Sequence, residues 1–179
     1  MTVSVEAGSL GFAPLTEEDL GLLHGWLAAP HVVQWWGPSR SLEEVLRDYN
    51  PATRCVGGPA YFLIELEGEP VGFIHRYAPV EHHHEGWWRQ IHDPGARGID
   101  LFLASPQWLD RGLGRRALRS FAALLFRDPA VTTLIADPAP DNLRAVGCFA
   151  AAGFIARHIV STPDGPALLM ELTRNDWQD

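Results

Sequence analysis

The chain has no lysine: all 14 basic residues are arginine, against 22 acidic ones, for a formal net charge of −8. Nucleic-acid binders normally present a basic face, so this balance argues against one. It suits a cationic partner, because an acidic cleft concentrates cations through its field, although solubility alone also accounts for it. Cysteine is scarce. Cys55 and Cys148 cannot form a disulfide framework and fit a reducing compartment, so a cytoplasmic location is expected. No stretch approaches the roughly 18 apolar residues of a membrane span. The opening Met1-Thr2-Val3-Ser4-Val5-Glu6 lacks the basic flank and apolar run of a secretory signal. Internal repeats and low-complexity tracts are missing too. What remains is ordinary globular material, 179 residues with 46% hydrophobic and 20% charged. That suffices for one domain with its own core, and residues 1–179 are read as a single domain, expected to be a monomer.

Helix signals begin at Thr16, a capping residue followed by Glu17, Glu18 and Asp19, with Leu20, Leu23 and Leu27 recurring at helical spacing. A second helix starts at Ser41, where Glu44 completes a capping box, and is expected to bury Leu42, Val45, Leu46 and Tyr49. Between them His31-Val32-Val33-Gln34-Trp35-Trp36-Gly37-Pro38 reads as an aromatic loop. Strands are expected at 61–66 and 71–77, then an irregular stretch from Pro79 to Pro94, long enough to suggest function. Further strands are expected at 99–104, 131–136, 154–160 and 167–172. Helices are expected after Gly112, through Leu118, Phe121, Leu124 and Leu125, and after Asp141 as cap, the latter ended by Gly153. The central strand–helix–strand unit requires a parallel crossover. The fold class is therefore α/β (mixed α+β), a mixed, mostly antiparallel sheet with helices on both faces.

Two features carry chemistry. In Arg111-Gly112-Leu113-Gly114-Arg115-Arg116 a strand has ended, glycines turn the chain closely and a helix opens, which gathers unpaired backbone N–H groups around one point suited to a pyrophosphate. Arg111, Arg115 and Arg116 can pair with further phosphate charge. A structural turn is the plainer reading of this motif alone. Second, Asp100 interrupts the apolar strand Ile99-Asp100-Leu101-Phe102-Leu103, and a carboxylate there is costly unless paired or open to a cleft. Asp137 follows the neighbouring parallel strand, which places it near Asp100 at the carboxyl edge where open sheets bind ligands. Adjacent histidines His82, His83 and His84 cannot all face one ion, so no metal is expected and a solvated loop is favoured.

In this order the glycine turn resembles the acyl-coenzyme A site of the Gcn5-related N-acetyltransferase superfamily, with Leu109 where that superfamily carries Gln or Arg. The strings HVVQWWG from His31, EGWW from Glu85, DPGARGID from Asp93, FRDPAVT from Phe126, DPAPDNLRA from Asp137, AAGF from Ala151 and TPDGPA from Thr162 resemble the bacterial aminoglycoside 6'-N-acetyltransferases of the plasmid-type resistance group. The likeness runs from about Leu15 to Met170.

The resemblance implies acetyl-CoA as co-substrate, a cationic aminoglycoside as acceptor, and direct attack in a ternary complex. It assigns Asp100 as general base. Trp36, Glu85 (in place of an Asp), Trp87, Trp88, Asp137 and Asp164 line the drug site, and Gly112, Gly114 and Asn142 contact coenzyme A. The superfamily's two splayed strands, here 99–104 and 131–136, would expose backbone near Phe102 or Leu103 to polarise the thioester. Leu113 lies inside the glycine turn, and Phe149 stands at the coenzyme A site where the family has a Tyr sometimes assigned to the departing thiolate. Two other readings share the frame: a siderophore-type hydroxylysine N-acyltransferase, whose pattern has His where this chain has Asp100, and a non-catalytic acyl-CoA-binding module, which would not require the carboxylates. Neither nucleic acid nor membrane is expected as a partner.

Overall fold

Short runs of alternating apolar residues assemble into one seven-stranded sheet in the computed structural model, which describes residues 9–53 and 58–177. The expectations that concern Met1–Glu6 and Cys55 lie outside those residues. The strands are β1 (Leu10–Pro14), β2 (Ala60–Leu66), β3 (Glu69–Tyr77), β4 (Ala96–Leu103), β5 (Thr133–Ala136), β6 (Ile155–Thr162) and β7 (Gly165–Thr173), in the order β1-β2-β3-β4-β5-β7-β6. The helices are α1 (Leu20–Leu27), α2 (Pro30–Trp36), α3 (Leu42–Tyr49), α4 (Leu113–Leu125) and α5 (Leu143–Ala152). The expected crossover is present: β4 and β5 run parallel, while β5–β7 and β6–β7 are antiparallel. Among the described residues no helix is long and apolar enough to cross a membrane.

Several local expectations need correction. Strand β1 precedes the first helix and pairs with β2 from Leu10↔Leu66 to Pro14↔Phe62. The supposed aromatic loop is α2, begun by Pro30, whose fixed φ suits the first helical turn. The capping box at Ser41 forms as expected, with the Glu44 carboxylate accepting from the Ser41 N–H at 2.7 Å. Yet α3 buries only Val45 and Tyr49, and Leu42 and Leu46 are exposed. Helix α5 is capped by Asn142, not Asp141: the Asn142 side-chain oxygen accepts from the Ala145 N–H at 3.1 Å.

The chain forms two compact units, one reaching to His75 and including Leu101–Gly114, the other comprising Arg76–Asp100 and everything from Arg115. In the first, Leu15, Leu20, Leu23, Leu27, Val45 and Phe73 make a core. In the second, a smaller cluster gathers Tyr77, Trp88, Ile135, Val160, Ala167 and Leu169. Arg174 ties the second unit's loop before β5, donating to the carbonyls of Phe126 at 2.8 Å and Val131 at 2.9 Å.

Candidate active site

The decisive geometry is where a ladder stops. Parallel pairing of β4 with β5 covers Ala96↔Thr133, Arg97↔Leu134 and Gly98↔Ile135. Past that point β5 stays with β7, through Ala136↔Met170 and then a 2.9 Å bond from the Leu168 N–H to the Pro138 carbonyl. Side chains two residues apart on a strand share a face. Asp100 therefore stands on the face of Gly98, and Asp137 on the face of Ile135, one step beyond the last paired residues. The splay expected of the two strands and the juxtaposition of the two carboxylates arise from the same register.

The electrostatics follows from that closeness. Burial raises the Asp137 carboxyl to about 9, with the Asp100 charge and then Asp164 adding to the effect and the Asp137 backbone N–H opposing it. Desolvation and like charge both disfavour ionisation. Asp164 sits exposed in the β6–β7 turn. Asp137 thus feels two of the other carboxylates singled out in the sequence, Asp100 and Asp164.

Beneath them lies Tyr77, a residue the sequence did not single out. Its ring fills the space a side chain at Gly98 would need: a Cβ there would come within 2.1 Å of Tyr77 Cζ. The Trp88 side chain donates a hydrogen bond to the Tyr77 hydroxyl, while burial and the Asp100 and Asp137 charges push that hydroxyl well above the usual range. Trp88 is 3% exposed, so it belongs to the floor of the acidic patch and does not line it openly; Trp87 packs partly buried against the same cluster. Trp88 adopts φ 53°, an unusual backbone for a bulky residue, and its ring lies 6.3 Å from that of Tyr77. The only sequence hint of Tyr77 was its place in β3. We expect Gly98→Ala to cost about 2 kcal/mol, the usual penalty for overpacking, measurable as a lowered urea midpoint.

Glu85 ends a 3-10 turn, exposed, with His82 Nδ1 at 3.1 Å and His84 Nε2 at 3.4 Å from its oxygens. The histidine segment is not simply a solvated loop. His83 Nε2 bonds the Ile91 carbonyl at 2.9 Å, and His82 lies edge-on to Tyr77 with ring centroids 5.5 Å apart. His84 alone of the three is largely exposed. Among the described residues no group of three or more His, Cys, Asp or Glu side chains is arranged to hold a metal ion. Trp36 belongs to the first unit, edge-on to Phe102 at 4.9 Å and to Phe73 at 5.9 Å. In that unit His31 Nε2 bonds the Leu103 carbonyl at 2.9 Å and the Ala104 N–H donates to the Val71 carbonyl.

The glycine turn has the conformation its sequence demands. Gly112 takes φ 76°, and no atom lies within 4 Å of where its Cβ would be, so the turn is open to an approaching group. Leu113 and Gly114 begin α4 and are buried; Arg111 and Arg115 are exposed and Arg116 half-buried. Arg115, Arg116, Arg119, Ser120 and Ala151 line an open groove of about 550 Å³. Arg119 was missed by the sequence reading, although its i, i+4 spacing from Arg115 signals the shared face. Asn142 spends its oxygen on the α5 cap, and Phe149 is buried edge-on to Phe154 at 5.2 Å.

Residues 16–162 match the family model for the acetyltransferase (GNAT) domain. The chain is 40% identical over 167 residues to the aminoglycoside N(6')-acetyltransferase type 1 of Klebsiella pneumoniae, covering 92% of this chain and 83% of that one. It is 48% identical over 92 residues to a kanamycin resistance protein of Rhizobium radiobacter, covering 51% of this chain and 85% of the other. The solved structure of AAC(6')-Ib with paromomycin and acetyl-CoA superposes with a TM-score of 0.90 at 40% identity, covering 94% of this chain and 95% of that chain.

Proposed function

Because the chain belongs to the GNAT acetyltransferases, and within them to the aminoglycoside N(6')-acetyltransferases, we propose that it transfers an acetyl group from acetyl-CoA to the 6'-amine of aminoglycoside antibiotics. The observation that supports this reading is the buried Asp137 carboxyl where β4 and β5 part, which the charges of Asp100 and Asp164 both raise. A polycationic amino sugar needs one charge-assisted partner for each ammonium group, and a neutral acceptor would leave such a cluster unsatisfied. We read residues 1–179 as one N-acetyltransferase domain, since the family match runs unbroken over most of the chain. It would act as a monomer in the cytoplasm, without nucleic acid or membrane as partner.

Chemistry follows from the placement. At neutral pH the attacking 6'-amine arrives as an ammonium, so a proton must leave nitrogen before it can attack. Asp100 takes that proton, directly or through a water. The freed lone pair attacks the thioester carbon, with the oxyanion polarised by a backbone N–H near Phe102 or Leu103. The C–S bond then breaks to give coenzyme A thiolate and an N-protonated amide, and that second proton passes through water to the thiolate or to solvent, leaving the amide and coenzyme A. Glu85, Asp137 and Asp164 hold the other ammonium groups, with Trp36, Trp87 and Trp88 shaping the walls and floor. The pyrophosphate would rest on the 112–114 turn, with Arg111, Arg115 and Arg116 on the phosphates and Asn142 and Phe149 along the arm. Cys148 offers no competing acyl-enzyme route, because burial raises its thiol to about 11.

Release of thiol from acetyl-CoA with kanamycin-, gentamicin- and neomycin-type drugs, against lysine analogues as controls, tests the reading, and NMR of the product fixes the position. No turnover with any aminoglycoside sinks it. The thiolate is a tolerable leaving group, since thiols ionise near pH 8.5. Phe149→Tyr should therefore change kcat by less than about tenfold, roughly 1.4 kcal/mol. A larger gain would assign an acid role that this chain has partly given up.

A further inference from the structure

We propose that His31 is a positioning residue for acetyl transfer: by holding the Leu103 carbonyl at the end of β4, it fixes the direction of the Leu103 N–H that polarises the thioester. This rests on the acetyl-transfer reading and extends it to a side chain outside every drug and cofactor contact assigned above.

Two peptide planes decide which way the end of β4 faces. A trans peptide points its N–H and C=O to opposite sides. The Ala104 N–H donates to the Val71 carbonyl of β3 at 2.9 Å, so the Leu103 carbonyl in the same peptide points away from β3. One peptide earlier, the Phe102 carbonyl lies against β3, where a Cβ on Gly72 would come within 2.6 Å of it. The Leu103 N–H, trans to that carbonyl, therefore also points away from β3. Both polar backbone groups of Leu103 thus face the edge of β4 whose paired register ended at Gly98. The groups of Phe102 face β3, as successive strand residues alternate. Of the two candidates for the thioester donor, this selects Leu103.

His31 reaches that same edge. It is the second residue of α2, half-buried, and its Nε2 lies 2.9 Å from the Leu103 carbonyl oxygen. A carbonyl only accepts, so the proton of this bond is on Nε2. Leu103 is 7% exposed, and a buried carbonyl without a donor is costly. Val71 pins one end of the Leu103–Ala104 peptide and His31 the other, so losing His31 leaves the peptide able to turn about the first bond. Helix α2 also carries Trp36, edge-on to Phe102 at 4.9 Å, and so grips both Phe102 and Leu103, one by ring and one by hydrogen bond. An oxyanion donor works by being aimed before charge develops. A rotation at Leu103 spoils that aim while the 112–114 turn stays as it is.

His31→Met and His31→Gln introduce side chains of equal length, of which only glutamine carries an N–H to offer the Leu103 carbonyl. With an aminoglycoside and acetyl-CoA, His31→Met should lower kcat on the order of 10–100-fold, the range for a displaced catalytic donor, with KM for acetyl-CoA within about threefold. His31→Gln should recover most of the wild-type kcat. In parallel, the carbon-13 signal of the Leu103 carbonyl should move upfield in His31→Met and stay near its wild-type place in His31→Gln. If the methionine variant does not fold, His31→Phe, which keeps a ring and lacks the donor, takes its place. An equal loss of kcat in the donor and donor-free variants is what packing alone would give, and overturns the proposal. Wild-type kcat in His31→Met, or an unmoved Leu103 carbonyl signal there, overturns it too. If wild type turns over no aminoglycoside, the acetyl-transfer reading fails and takes this proposal with it, whereas any of those results in an active enzyme removes the role of His31 alone.

Discussion

Asp100→Ala should reduce acetyl transfer to aminoglycosides about 10³-fold, within the range a positioned base contributes, while KM for acetyl-CoA stays within roughly threefold. The asymmetry follows from position. Asp100 lies at the point where the β4–β5 ladder ends, and the glycine turn proposed for the pyrophosphate, which opens α4, involves no part of it. The substitution also removes one of the charges that raise the Asp137 carboxyl, so Asp137 should titrate lower in the variant. A remaining carboxylate could then bind the drug without being placed to deprotonate it. Thiol release shows the kinetic effect, and calorimetry with acetyl-CoA alone shows whether the cofactor site survives. Turnover near wild type would remove Asp100 from the mechanism.

Asp137→Asn should do two opposite things, stabilising the protein while weakening drug binding. The native carboxyl titrates at about 9 because of burial and the neighbouring Asp100 and Asp164 charges, whereas an unfolded Asp titrates near 3.9. The folded state therefore binds more protons across this window. Stability contributed by the group is full below about pH 4 and declines as pH rises towards 9. At pH 7 the loss is on the order of 3 kcal/mol after allowing for the site's partial exposure to solvent. An amide avoids it, so the variant's Tm at pH 7 should exceed wild type by roughly 6–12 °C, at the usual 2–4 °C per kcal/mol for a chain of this size. The gain should shrink as pH is lowered towards 4. Scanning calorimetry from pH 5 to 9 measures this, and parallel pH slopes for the two proteins would refute it. An aminoglycoside ammonium supplies the charge that lets Asp137 ionise, so its KM should rise at least tenfold in the variant. This is the familiar opposition between stability and function at a strained site.

The sequence disclosed what repeats or caps and concealed what depends on a neighbour. Ser41 with Glu44, and Gly153 after α5, announce their helix ends in a few residues. Helix α2 escaped because Val32, Val33, Trp35 and Trp36 are poor helix formers that tertiary packing overrides. Strand β1, five residues containing Gly11 and Pro14, has almost no pattern of its own and is defined by its pairing with β2. Leu42 and Leu46 have the period of a buried face, but α3 turns Val45 and Tyr49 inward instead. In the site, Asp100 could be found because a charge inside an apolar strand is conspicuous, and Asp137 because it ends the parallel partner. Tyr77 could not. Its place over Gly98 depends on the side chain Gly98 lacks, which no inspection of either residue separately reveals.

That empty position also divides the site by how freely it can evolve. Any replacement at Gly98 adds at least one carbon where the phenol already sits, so the base of the pocket offers mutation no neutral first step. Asp164 is exposed in the β6–β7 turn, and Glu85, also exposed, is held only by His82 and His84, so neither is locked by packing as Gly98 is. On the proposed function, drug range would drift at these exposed positions by single changes, while altering the buried carboxylates would take several coordinated ones.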